Sequence, residues 1–115
     1  MWLFCEDGYF SAVAHMDKPG VILLRARFKG DLERLFKRHA ALFQDGKPPK
    51  AIHTPDADYA YRSELPKETW AAIVSAEALA IDYCNFKSHV HEGSPRDTAY
   101  MGCWSSLRNA QERMN

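Results

Sequence analysis

A chain of 115 residues is long enough to bury one core and too short for two sizeable ones, and its 46 % apolar and 26 % charged residues exclude a disordered polypeptide. Fifteen Lys and Arg balance fifteen Asp and Glu, so no global field draws the molecule to phosphate backbones or anionic membranes, and a nucleic-acid role requires a local patch. The longest apolar runs, such as Val21 to Leu24, fall far short of the ~20 residues of a membrane-spanning helix.

Met1-Trp2-Leu3-Phe4 is followed directly by Glu6 and Asp7, without the basic start and small-residue cleavage site of a signal peptide, so the chain reads as cytoplasmic. Cys5, Cys84 and Cys103 are odd in number and widely spaced, which argues against a disulfide framework. They read as small core hydrophobes.

In chain order, Trp2 to Cys5 and Tyr9 to Met16 are short β-compatible runs around Asp7-Gly8, a tight-turn signal, and predict a hairpin. After the turn at Asp17 to Gly20, the segment Val21 to Lys29 alternates. Ile22, Leu24, Ala26 and Phe28 fall on one face, and Val21, Leu23, Arg25, Arg27 and Lys29 on the other. Gly30 ends that strand. Asp31 caps a helix whose apolar positions Leu32, Leu35, Phe36, Ala40 and Phe43 recur at three and four, leaving Arg34, Lys37 and Arg38 on the wet face.

The loop Asp45 to Pro49 precedes a short strand near Ala51 to Thr54, and a turn at Pro55 to Asp58 precedes a strand in which Tyr59, Tyr61, Ser63 and Leu65 alternate with Ala60, Arg62 and Glu64. Pro66 starts a second helix with Trp70, Ile73, Val74, Ala78 and Ile81 as its buried face. The segment from Asp82 to Val90 keeps helical character, either continuous with that helix or after a kink. Glu92 to Pro95 stops it, and a last helix runs from Arg96 to about Glu112 with Tyr100, Cys103, Trp104 and Leu107 on its packing side. The whole predicts one α+β domain over 1–115: an antiparallel sheet of about five strands with two to three helices packed on one face.

For catalysis or metal binding the sequence offers little. His89, His91 and Glu92 are metal-ligand types, but residues two apart on a helix diverge by about 200°. No glycine-flanked nucleophile or phosphate loop is present. Asp56 and Asp58 lie in a turn, where carboxylates commonly bond their own backbone. The reading is therefore a non-catalytic module with no metal and no cofactor.

The candidate contact residues are Arg25, Arg27 and Lys29 on the strand face, Tyr59, Tyr61 and Arg62 on its neighbour, and the polar-aromatic group Asp82, Tyr83, Asn85 and Lys87. Arginine and tyrosine in such density suit a protein interface or, as the alternative, single-stranded nucleic acid held by phosphate pairing and base stacking. A metal-dependent enzyme at His89, His91 and Glu92 is the third reading.

The strings Met1 to Phe4, Arg25 to Asp31, Thr54-Pro55 with Asp58-Tyr59 and Tyr61-Arg62, and Ile81 to Lys87 resemble a group of small proteins of bacteria and their phages, over most of the chain through Val90. The stretch Phe43 to Lys50 and the position of Cys84 depart from that pattern. The resemblance implies a fold and a cytoplasmic setting and carries no activity, cofactor or site residue. The expectation is a protein-binding or regulatory module, of which a phage inhibitor of a host defence complex is one concrete form. Its partner is a protein or a second copy of itself, with nucleic acid as the alternative and no membrane.

Overall fold

A computed structural model describes residues 1–82, 90 and 92–114. Contacts divide the chain, read from sequence as one domain, into two compact units, Met1–Ile81 and Asp82–Asn115. The fold is α+β, and the first unit holds its sheet.

The sheet is antiparallel throughout, with five strands: β1 (Trp2–Cys5), β2 (Gly8–Ala14), β3 (Val21–Ala26), β4 (Ile52–His53) and β5 (Tyr61–Pro66), in the spatial order β1-β2-β3-β5-β4. The expected β1–β2 hairpin forms, but its two turn residues are Glu6-Asp7, with Gly8 already in β2 opposite Cys5 and not at a positive φ. Period-two alternation then assigns the faces. Phe10, Ala12, Ile22, Leu24, Ala26 and Leu65 point inward and are buried together. Against them pack Leu32, Leu35 and Phe36 of α1 (Lys29–Arg38) and Trp70 and Ile73 of α2 (Lys67–Leu79). Both helices thus cover one face of the sheet.

Several boundaries differ from the sequence reading. Strand β3 stops at Ala26, and Phe28, expected inside, is the extended N-cap residue of α1 and 64 % exposed. Asp31 is not the cap. It sits in the first helical turn, fully buried, where its charge complements the helix dipole and Arg34 donates to it at 2.6 Å. Arg34, Lys37 and Arg38 are exposed, as expected, and two of them also reach the β1–β2 turn: Arg34 donates to the Asp7 carbonyl, and Arg38 pairs with Glu6 and Asp7.

Helix α1 ends at Arg38, and Phe43 reaches the core through a short 3-10 turn, edge-on to Phe36 at 5.2 Å. In α2 only the N-terminal half keeps its expected face. Ala78, in the last turn of the helix, and Ile81, beyond its end at Leu79, are exposed.

The second unit contains α3 (Pro95–Met114). No described residue of α3 is buried: of the apolar positions expected on a packing side, Tyr100 is half-buried, and Cys103, Trp104 and Leu107 are exposed, Trp104 at 46 % and Leu107 at 72 %. Cys103 is likewise exposed where a core hydrophobe was expected, whereas Cys5 is buried. Cys84 lies outside the described residues.

Candidate partner-binding face

The face of the sheet turned away from α1 and α2 carries the odd-numbered residues of β3. Because the strand registers are fixed, one straight row crosses all five strands: Trp2 opposite Ser11, Ser11 opposite Arg25, Arg25 opposite Arg62, and Arg62 opposite Ile52. The row begins and ends in exposed apolar side chains, Trp2 at 67 % and Ile52 at 52 %. Two guanidinium groups occupy its middle.

Tyr59 lies just before β5 and folds onto this same face. Its buried ring is flanked by the guanidinium carbons of Arg25 at 4.8 Å and Arg27 at 4.7 Å from the ring centre, cation–π distances that hold both side chains against the sheet. The Tyr59 hydroxyl is 3.1 Å from that of Tyr9, and Tyr9 in turn stacks on Phe4 at 4.6 Å and meets Trp2 edge-on at 5.6 Å. The outcome is a continuous band of four rings and two arginines.

Hydrogen bonds fix the arginines individually. Arg25 Nη2 donates to Ser11 Oγ at 2.8 Å, Arg27 Nη1 to the Asp58 carbonyl at 2.9 Å, and Arg62 Nη2 to the Tyr59 carbonyl at 3.3 Å. Arg27 is also 3.5 Å from the Asp58 carboxylate. Further along the face, Glu64 accepts from Lys18 at 2.8 Å and lies 3.0 Å from His15 Nε2. The Lys18 bond, helped by His15, holds the Glu64 carboxyl below its ordinary range.

Of the contact residues expected from the sequence, the structure brings together Arg25, Arg27, Tyr59 and Arg62 and separates two others. Lys29 is the first residue of α1 and pairs with Glu33 at 3.4 Å. Tyr61, being of opposite parity to Arg62, turns to the core side, where it stacks on His53 at 4.6 Å. Asp82 is exposed at the start of the second unit. Tyr83, Asn85 and Lys87 lie outside the described residues, as do His89 and His91.

Trp2, Tyr9 and Ser11 belong to the face and were not singled out from sequence. Their signal was the alternation within the two hairpin strands, which places Trp2, Phe4, Tyr9 and Ser11 on one side.

A second polar cluster lies on the helical side. Cys5 Sγ and carboxylate oxygens of Asp7 and Glu77 come within 4.8 Å of one another, and His39 Nε2 is 2.7 Å from Glu77. Three such atoms are metal-ligand types, yet Arg38 already supplies a cation there, with Nε 2.8 Å from Asp7 Oδ2. Burial raises Asp7 above its ordinary value, partly offset by Arg38. Burial, assisted by Glu77 and Asp7, also pushes the Cys5 thiol up to about 11. A protonated buried thiol is neither a nucleophile nor a ready ligand at neutral pH. The cluster ties the β1–β2 turn to α1 and α2.

No helix among the described residues is long and apolar enough to cross a membrane. The chain matches no protein-family model, no curated protein and no solved structure.

Proposed function

We propose that this protein is a non-catalytic cytoplasmic binding module that engages a protein partner through the arginine–aromatic face of its sheet. The observation that carries the reading is the row Trp2, Ser11, Arg25, Arg62, Ile52, in which exposed apolar ends flank half-buried guanidiniums. Trp, Tyr and Arg supply most hot-spot energy at interfaces because they combine large contact area with directed donors. A regulatory role, with inhibition of a host complex as one form, is part of this proposal and rests on the face alone, because the resemblance to small bacterial and phage proteins implies no activity.

The test is affinity capture from host cells with wild type, Trp2→Ala and Arg62→Ala, all three shown folded by circular dichroism. A defined partner lost by both variants supports the reading. Retention by both overturns it.

Single-stranded nucleic acid is the second reading, favoured by the Arg25 and Arg27 contacts with Tyr59. Against it, the Tyr59 ring is already covered on this face, and Asp58 and Glu64 stand beside the arginines. A mobility assay at low and moderate salt decides, because phosphate-driven binding falls steeply with salt.

A further inference from the structure

The first unit contains five arginines: Arg25, Arg27, Arg34, Arg38 and Arg62. Three have carboxylate partners, Arg27 with Asp58, Arg34 with Asp31 and Arg38 with Glu6 and Asp7. The other two, Arg25 and Arg62, have none among the described residues, and they stand directly opposite each other on β3 and β5.

Like charges directly opposed across a ladder repel. Both side chains are half-buried, which weakens the screening that makes such a pair harmless on an open surface. Each guanidinium also has a buried Nε–H with no acceptor among the described residues. Buried donors in native proteins nearly always have a partner, so two orphans on adjacent strands, beneath two uncompensated cations, point to an anion.

We propose that Arg25 and Arg62 together form a seat for a single carboxylate of a protein partner, an Asp or Glu side chain entering between Trp2 and Ile52. The assignment rests on the reading of this face as a binding surface and names the chemistry at its centre. A guanidinium presents its donors in a planar fork that matches a carboxylate, and the forks are held in place, Arg25 by Ser11 and the Tyr59 ring, Arg62 by the Tyr59 carbonyl.

Charge complementarity selects the source. Asp58 and Glu64 lie on the same face, near the two ends of the arginine group. A chain of phosphates would bring several charges past both, whereas a single carboxylate brings only one to the central pair. The apolar ends of the row suit hydrophobic side chains flanking an acidic residue in a peptide segment.

The experiment follows the arginine Nε–H resonances by NMR while the full chain is titrated with N-acetylglutamate methylamide, its glutamine analogue, inorganic phosphate and a short oligothymidylate. The blocked glutamate shifts the Arg25 and Arg62 signals together, with a dissociation constant on the order of millimolar, as befits one isolated ion-pair contact. The glutamine analogue leaves them in place. Arg62→Lys, which keeps the charge and loses the fork, weakens binding by about fivefold, and Lys37→Ala, at an exposed position of α1 on the other side of the sheet, changes it by less than about twofold.

Absence of a shift with the blocked glutamate, or an equal shift with the glutamine analogue, overturns the seat. Tighter binding of phosphate or the oligonucleotide overturns the carboxylate assignment in favour of nucleic acid. These resonances are independent of Trp2-dependent partner capture, so the seat can fail while the wider reading of the face stands, and the reverse.

Discussion

Cys5 shows how far one side chain's chemistry depends on what surrounds it. Its thiol, ordinarily 9.0, stands at about 11 because burial and the neighbouring carboxylates disfavour the thiolate. An unfolded chain releases this proton first, so between pH 9 and 11 the native state binds more protons and loses stability as pH rises. The full shift corresponds to roughly 2–3 kcal/mol. Cys5→Ala should therefore lose less stability than wild type across that window, measured by urea unfolding at stepped pH. Under native conditions at neutral pH, iodoacetamide should modify exposed Cys103 and spare Cys5, as peptide mapping by mass spectrometry will show.

At the same scale, Arg25, Arg27 and Arg62 were legible as a face because alternation in a strand is read directly from spacing. The same rule set Tyr61 on the side of Ser63 and Leu65, where the structure has it, and misplaced Tyr59, which precedes β5 and lies on the other face against Arg25 and Arg27. The Cys5, Asp7, Glu77 and His39 cluster had no sequence signature, since it joins positions distant in the chain through packing alone.

Among elements, the strands and α1 followed from periodicity, while their junctions did not. The β3-to-α1 boundary turned on Asp31, whose residue type suits a cap equally well as a first-turn carboxylate. What decided it was the pairing with Arg34 one turn on in the same helix and the approach of the β1–β2 turn. That approach is close. A Cβ at Gly8 would stand 2.5 Å from the Asp31 carboxyl carbon, whereas one at Gly102 in α3 would meet nothing within 4 Å. Gly8→Ala should destabilise by about 1–3 kcal/mol as the turn is forced off the helix. Gly102→Ala should be neutral or stabilise by up to about 1 kcal/mol through helix propensity. Chemical denaturation of the two variants beside wild type checks both.

For the molecule as a whole, the sequence carried the fold class and misjudged the exposure of α3, because an apolar stripe has the same spacing whether or not it is buried. Trp104 and Leu107 have the spacing of a core face and are exposed. The core cluster is contained within residues 5–73, with Val74 packed against it. A chain ending at Ile81 should thus keep the β-sheet circular dichroism signature and unfold cooperatively, and a non-cooperative melt of that fragment would show that the first unit's core is insufficient by itself.

The central strand has a consequence of its own. Even positions of β3, Ile22, Leu24 and Ala26, hold the molecule together, and odd positions, Leu23 and Arg25, look outward, as do Arg62 and Glu64 opposite them. Folding and recognition are written in alternate letters of one short word. What the outward letters select can drift by substitution without disturbing the interior, while inserting or deleting a single letter would exchange the two scripts and drive a guanidinium into the oil.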